Sequence, residues 1–205
     1  LTLCLFRNII AAHNRIHSVL HHIIDKSERM DYSMNFGISA KPRVIFSCGA
    51  SNAAGEEVRK CGCKKVLLIH GQGIKKSGIA DKILGSLKAA GLETFSYDGV
   101  KADAPDYTVE EAAAIGRREN VDAVIGIGGG SAMDVAKGVN ILLSNPSPLA
   151  QYCDFNVHQN PGKFLVLIPT TSGTGSEVSN GAIFSITSEG RKIGLIATAN
   201  LAIID

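Results

Sequence analysis

The chain has 205 residues, of which 45% are hydrophobic and 20% charged, and its formal net charge is +2. These values exclude a disordered segment, a collagen-like fibre and a coiled coil, and so small a charge does not indicate a nucleic-acid partner. No apolar run reaches the roughly 18–20 residues that a membrane span requires, so we expect no membrane association, whereas the 22 glycines are more than an average chain carries and need an explanation.

The first 29 residues differ in composition from the rest, because they hold four of the six histidines and no glycine. Three interpretations remain open: an additional N-terminal helix, a transit peptide, or upstream sequence read through from a start site placed too early. We place the native start near Met30 or Met34. The chain is therefore divided into an N-terminal extension, residues 1–33, helical or not native, and an α/β domain, residues 34–205.

Five cysteines occur without a regular framework. An odd number of cysteines in a chain of this size indicates reduced thiols and a cytoplasmic protein rather than a disulfide scaffold. Cys61 and Cys63 are too close together for a zinc site and lack a second pair of ligands, so no metal site is predicted within the chain.

From residue 41 onward, short apolar runs alternate with helical patterns. Such a succession of βα units predicts a Rossmann-like parallel sheet with helices on both faces. The third helix is expected to open at Thr108 as N-cap, with Glu111 completing a capping box. A β-hairpin is predicted around Ser188-Glu189-Gly190. The predicted strands are 43–48, 65–70, 93–97, 122–127 and 164–169, the predicted helices are 50–61, 79–90, 108–119 and 131–143, and the hairpin pairs 182–187 with 192–197.

The first glycine-rich turn, Gly126 to Asp134, follows a buried strand and opens a helix. Glycines allow the backbone to approach a ligand, and a helix N-terminus favours a phosphate. The turn is not the GxGxxG fingerprint, and a tight turn without functional content is an equally open interpretation. Ser131 would either cap the helix or donate to a phosphate oxygen. The candidate residues in this turn are Gly128, Gly129, Gly130 and Ser131.

The second turn, Pro169 to Glu177, is rich in hydroxyl side chains and lies at the carboxyl end of another predicted buried strand. Ligands of open α/β sheets bind at these strand ends, and such a loop can hold a pyrophosphate or a ribose. The alternative is a run of hydroxyls that caps a helix, which needs only one of them. Two such loops on neighbouring strands favour nucleotide binding.

The end of the strand 65–70 bears on which nucleotide would bind. NAD sites commonly place an acidic residue at such a strand end, where it accepts from the ribose 2′-hydroxyl. This chain has Gly71 there, followed by Gln72 and Lys75, which would tolerate a 2′-phosphate and favour NADP, with NAD remaining open. The alternative is a pair of solvated lysines, Lys75 and Lys76, at a helix start. His70 is interpreted as structural.

Several segments together resemble the iron-containing (group III) alcohol dehydrogenases, which belong to the dehydroquinate synthase-like superfamily. The resemblance runs from about residue 36 to Asp205 and leaves residues 1–29 outside. It is carried by GIGGGSAMDVAKG (Gly126–Gly138) and IPTTSGTGSEVSNGAIFSITSEGRKIGL (Ile168–Leu195), with support from Arg43–Val58 and Leu201–Asp205.

This resemblance implies that residues 34–205 are an NAD(P)-binding domain and that the helical metal-binding domain of the family is missing from the chain. It also implies that Gly71 stands where NAD-preferring members carry Asp. Matched position by position, the pyrophosphate would lie on Gly129, Gly130 and Ser131 with Asp134 nearby, Thr170, Thr171, Thr174 and Ser179 would line the nicotinamide and ribose side, and Lys192 would reach a ribose hydroxyl.

The activity implied by the resemblance is hydride transfer between a small or primary alcohol or aldehyde and the nicotinamide cofactor. The family uses Fe²⁺ or Zn²⁺, whose ligands would lie outside this chain, so no catalytic or metal-binding residue is predicted here and the chain alone is expected to be inactive. A homodimer is expected. Two alternatives remain: a non-catalytic nucleotide-binding or subunit-interaction fragment, and an enzyme of the glycerol dehydrogenase or dehydroquinate synthase branch.

Overall fold

The computed structural model describes residues 41–152 and 160–205. The N-terminal extension and the native start therefore lie outside the described residues. The strands are β1 Arg43–Phe46, β2 Lys65–Ile69, β3 Glu93–Tyr97, β4 Ala123–Gly128, β5 Phe164–Pro169, β6 Gly181–Ile186, β7 Arg191–Ile196 and β8 Leu201–Ile204. The helices are α1 Ala54–Lys60, α2 Gln72–Lys76, α3 Ile79–Ala89, α4 Asp106–Arg118 and α5 Gly130–Leu142, with 3-10 turns at Ala50–Ala53 and Leu149–Tyr152.

Six strands form one parallel sheet in the order β1-β8-β5-β4-β2-β3, and β6 and β7 form a separate antiparallel pair. The Rossmann-like parallel sheet and the hairpin predicted from the sequence are confirmed. The interior strands of the sheet are β8, β5, β4 and β2, which are buried almost throughout. Continuous apolar sequences of this kind suit strands that are covered on both faces.

Side chains alternate between the two faces of the sheet, and each face carries its own core. Val66 and Leu68 of β2 pack with α1 and α3, whereas Leu67 and Ile69 pack with α4, α5 and the hairpin. The period of two along a strand thus divides one apolar run between two layers of helices. Among the described residues, no helix combines the length and the apolar character that crossing a bilayer would demand.

The predicted start of α4 at Thr108 is wrong. The helix begins at Asp106, and the extended residue Pro105 precedes it without a side-chain cap. Thr108 is already inside the first turn, where its hydroxyl donates to the Pro105 carbonyl at 2.6 Å. Glu111 does not close a capping box, because it accepts a hydrogen bond from the Tyr97 hydroxyl at 2.7 Å. The predicted helix at 50–61 is also shorter, since its first turn is 3-10 and α1 starts at Ala54.

Candidate functional site

A cleft lies where β2, β4 and β5 end, at the carboxyl edge of the sheet. It has two compartments that share Gly130 and Ser131. The hairpin compartment, of about 390 Å³, contains the predicted site residues Gly130, Ser131, Asp134, Thr174, Ser179 and Lys192. The β2 compartment, of about 270 Å³, contains the predicted site residues Gly71, Gly128, Gly129, Gly130 and Ser131. Four predicted residues line neither compartment: Gln72, Lys75, Thr170 and Thr171.

Helix α5 points its N-terminus into this cleft. Gly129 is the N-cap with extended backbone, no side chain caps the helix, and its first turn holds no acidic residue. Ser131 lies within the first turn, so of its two predicted roles the capping one is wrong. An uncapped N-terminus of a 13-residue helix presents backbone N–H groups and a positive partial charge. This end of the cleft is therefore suited to an anion such as a phosphate.

The four positions of the turn are glycines for different physical reasons. Gly128 has a φ of 144°, and a Cβ on Gly126 would come within 2.5 Å of the Ala136 Cβ, so both positions are required by the fold. Gly129 and Gly130 have ordinary backbone angles, and their missing Cβ atoms would instead face threonines. The tight-turn interpretation accounts for the first two glycines. It does not account for Gly129 and Gly130, both of which line the cleft.

The two threonines nearest to these glycines belong to the loop between β5 and β6, and of the two only Thr174 lines the cleft. A Cβ on Gly129 would lie 3.4 Å from the Thr171 Oγ1, and one on Gly130 would lie 3.3 Å from the Thr174 Cγ2. Thr170 joins the loop to the glycine turn, since its backbone N–H donates to the Gly128 carbonyl at 2.9 Å. The chain then continues into β6 rather than into a helix. The helix-capping interpretation of these hydroxyls is therefore wrong.

A buried charged group lies beneath the hairpin compartment and was not predicted. The side chain of Lys137 is fully buried, and its ammonium donates to the Gly181 carbonyl at 2.6 Å and to the Ser179 carbonyl at 3.1 Å. It also contacts the Ser176 Oγ at 3.3 Å, and that hydroxyl donates to Asp134 Oδ1 at 2.8 Å. Burial lowers the pKa of Lys137 and raises the pKa of Asp134. A signal was present in the sequence, because Lys137 is the only charged residue between positions 135 and 153.

Lys192, predicted to contact the cofactor, lies at the mouth of the hairpin compartment. Its ammonium is 2.6 Å from the Asp103 carboxylate, and both side chains are exposed. Asp103 and Ala104 have positive φ angles of 61° and 44°, which non-glycine residues rarely adopt. Strained backbone of this kind concentrates at functional sites. Sequence reasoning missed Asp103 because its contact with Lys192 spans 89 residues.

At the β2 end, the two remaining predicted residues are held by Asp98, the residue that follows β3. The Lys75 ammonium is 2.5 Å from the Asp98 carboxylate, and the Gln72 amide donates to the Asp98 carbonyl at 3.2 Å. The hydrogen bond from Lys75 lowers the pKa of Asp98. His70 is buried, its Nδ1 donates to the Gly71 carbonyl at 3.1 Å, and its Nε2 is hydrogen-bonded to the Ser96 hydroxyl at 3.0 Å. His70 is thus a buried histidine with both nitrogens satisfied, in accord with its structural interpretation.

The part of the chain that the structure describes contains no cluster of side chains suited to a metal ion. No group of three or more His, Cys, Asp or Glu side chains comes together there in a way that could hold a metal ion. Cys63, one of the two closely spaced cysteines, is partly buried, and burial raises the pKa of its thiol to about 11. Such a thiol stays protonated at neutral pH and is a poor metal ligand.

Comparisons with known proteins agree with these features. The family model described as iron-containing alcohol dehydrogenase matches residues 41–205. Choline dehydrogenase of Bacillus subtilis is 36% identical over 173 residues, covering 80% of this chain and 42% of that protein. 1,3-Propanediol dehydrogenase of Klebsiella pneumoniae is 34% identical over 159 residues, covering 77% of this chain and 41% of that protein. The crystal structure of NADH-dependent butanol dehydrogenase A from Thermotoga maritima superimposes with a TM-score of 0.78 at 30% identity, covering 83% of this chain and 44% of that one. The chain spans less than half the length of each of these relatives.

Proposed function

Because the chain belongs to the family of iron-containing alcohol dehydrogenases, we propose that it forms the cofactor-binding part of a metal-dependent alcohol dehydrogenase. The enzyme would transfer a hydride between a small alcohol or aldehyde and a nicotinamide dinucleotide. The observation that carries this proposal is the cleft between the uncapped N-terminus of α5 and Thr174 of the β5–β6 loop. The cleft lies at the carboxyl ends of neighbouring parallel strands, where open α/β sheets bind nucleotides.

The two compartments suit the two halves of such a cofactor. The backbone N–H groups of Gly130 and Ser131, shared by both compartments, would receive the pyrophosphate, and the absence of Cβ atoms at Gly129 and Gly130 lets it approach. The adenosine half would extend into the β2 compartment beside Gly71. The nicotinamide half would enter the hairpin compartment, where Thr174, Ser179 and Lys192 offer polar contacts. When bound, the nicotinamide supplies the hydride acceptor or donor.

NADP rather than NAD is the proposed cofactor. Gly71 has an extended backbone, and a Cβ there would meet its nearest neighbour, the Val100 carbonyl, at an ordinary 3.5 Å. An Asp at this position would therefore fit, so neither strain nor crowding explains the glycine, and its effect is to remove a negative charge from the ribose site. Lys75 contributes less than the sequence suggested, because Asp98 already pairs with it. The relative from Thermotoga maritima is named NADH-dependent, and we expect this chain to differ from it here.

The family metal does not fit the described residues, so no step of the reaction is assigned to a metal held by them. We therefore propose that the chain by itself oxidises no alcohol, although it binds the cofactor. The role of its own residues is to bind the dinucleotide and orient it. Metal-dependent alcohol oxidation by the purified 205-residue chain would contradict this part of the proposal.

Fluorescence titration of NADPH and NADH tests the proposal. We expect saturable binding of both, with NADPH the tighter ligand. Gly129→Val should abolish the binding of either, because Gly129 lines the β2 compartment at the N-terminus of α5 and its backbone angles accept valine. Gly85→Val is the matched control, since a Cβ there meets no atom within 4 Å. Equal binding by the Gly129→Val variant would refute the site, and a preference for NADH of about tenfold or more would refute the choice of NADP.

A further inference from the structure

Lys137 is one of the largest side chains that are fully buried among the described residues. Lysine is almost never fully buried unless its charge is paired, because the desolvation of an ammonium is costly. In the part of the chain that the structure describes, no carboxylate contacts Lys137 directly. Its partners are instead the oxygens of the segment 176–181, which joins the β5–β6 loop to the hairpin.

The nearest compensating charge is reached through a hydroxyl. Ser176 accepts from the Lys137 ammonium and donates to Asp134 Oδ1, and Asp134 Oδ2 accepts from the Ile183 backbone N–H at 3.2 Å. Ammonium, hydroxyl and carboxylate thus form a chain that ties α5 to both ends of the segment 176–181. Replacing buried charges with apolar residues is often neutral or stabilising, so their presence needs a reason other than stability alone.

The position of these hydrogen bonds relative to the cleft suggests why the charges are buried here. Asp134, Ser176, Ser179 and Gly181 all line the hairpin compartment, whereas Lys137 lies beneath them and does not. The ammonium therefore holds the atoms that form the wall and floor of the compartment without touching its contents. None of these four residues lines the β2 compartment.

We propose that Lys137 is a positioning residue that fixes the segment 176–181 against α5 and so shapes the half of the cleft that receives the nicotinamide. This role rests on the proposed function, since it assumes a dinucleotide in the cleft. A positioning role predicts a selective effect on ligands, whereas a purely stabilising role of Lys137 does not. Loss of the ammonium should weaken ligands that occupy the hairpin compartment and spare ligands confined to the β2 compartment.

The test compares two ligands on matched variants of the full chain. Calorimetric titration of NADPH reports both compartments, whereas 2′,5′-ADP reports the adenosine half alone. Lys137→Met keeps the length of the side chain and removes the charge. Lys88→Met is the control, because Lys88 lies exposed on α3, which packs on the opposite face of the sheet. Circular dichroism and thermal unfolding monitor the fold of each variant.

We expect Lys137→Met to weaken NADPH by about tenfold and to change 2′,5′-ADP by less than about twofold, since tenfold corresponds to about one hydrogen bond to a charged group. Lys88→Met should change neither. Equal affinities for NADPH in wild type and Lys137→Met, or equal losses for both ligands, would overturn the positioning role. A wild-type chain that binds 2′,5′-ADP but not NADPH would overturn it as well, and one that binds neither would overturn the proposed function first.

If Lys137→Met does not fold, Ser176→Ala provides the second test. It removes the hydroxyl that joins the ammonium to Asp134 and leaves the buried ammonium with its two carbonyl partners. We expect a selective loss of NADPH affinity of about threefold, again with 2′,5′-ADP unchanged. An unchanged NADPH affinity in this variant would refute the role of the hydrogen bonds that connect Lys137 to Asp134 through Ser176.

Discussion

The charged groups near the two compartments of the cleft differ in their burial. In the β2 compartment region, Lys75 and Asp98 form an ion pair whose side chains remain substantially exposed. Under the hairpin compartment, the Lys137 ammonium is fully buried and reaches Asp134 only through Ser176. Exposed ion pairs contribute little to stability, whereas removing one partner of a buried charged network leaves the other uncompensated. We infer that the β2 side can change its ligand preference freely, and that the hairpin side cannot change without affecting the fold.

The largest expected effect comes from removing the Asp134 carboxylate. Asp134→Ala leaves the Ser176 hydroxyl and the Ile183 N–H without their acceptor and takes the counter-charge from Lys137. We expect the free energy of unfolding to fall by about 2 kcal/mol, because Asp134 is only partly buried and the full cost of breaking a buried pair is about 3–5 kcal/mol. Urea unfolding measures the difference. Asp98→Ala is the matched change on the exposed side, and it should lower the urea midpoint only slightly, because the pair that it breaks is exposed; similar losses in both variants would remove the contrast between the compartments.

The next effect is a change of cofactor without a change of stability. Gly71→Asp introduces a carboxylate at the end of β2, where it can accept from a ribose 2′-hydroxyl and repels a 2′-phosphate. We expect the ratio of NADPH to NADH affinity to fall by roughly tenfold, with unfolding by urea unaffected. Gly71→Asn adds a side chain of the same shape without the charge and should move the ratio much less. If the Asn variant shifts the ratio as far as the Asp variant, the preference depends on space and not on charge.

The smallest effect distinguishes the two carboxylates by pH. Burial raises the pKa of Asp134, whereas the hydrogen bond from Lys75 lowers the pKa of Asp98. A raised carboxyl pKa stabilises the fold at low pH, and this contribution disappears as the pH rises above the unfolded value of about 4. A lowered carboxyl pKa has the opposite sign, so its contribution is present above about pH 4 and is lost as the pH falls.

Urea unfolding between pH 3 and 7 measures this contrast in wild type, Asp134→Asn and Asp98→Asn. Subtracting the free energy of unfolding of each variant from that of wild type cancels the contributions of the other titrating groups. Since the pKa of Asp134 is raised, the wild type should lose stability relative to Asp134→Asn as the pH rises. It should gain stability relative to Asp98→Asn over the lower part of the range. Slopes of the same sign would mean that the two carboxylates share one kind of environment.

The sequence predicted the framework of the site better than its contacts. The sequence locates the carboxyl edge of the sheet through local patterns, namely the apolar runs at β2, β4 and β5 and the glycine turn before α5. These patterns do not give the order of the strands. The start of α4 was missed because the Glu111 carboxylate binds Tyr97 on another element instead of capping its own helix. The pairing of Lys75 with Asp98 was missed for the same reason, since their contact spans 23 residues. Contacts between elements depend on the packed fold, which local spacing does not encode.

The location of the cofactor is tested most directly by amide chemical-shift mapping of the full chain on addition of NADPH. We predict that the amides of Gly129, Ser131, Thr171 and Thr174 shift with a common affinity. The cleft of about 330 Å³ lined by Asn140, Gly162 and Asn200 serves as the internal reference and should not respond. Shifts confined to that cleft, with the N-terminus of α5 unchanged, would contradict the account.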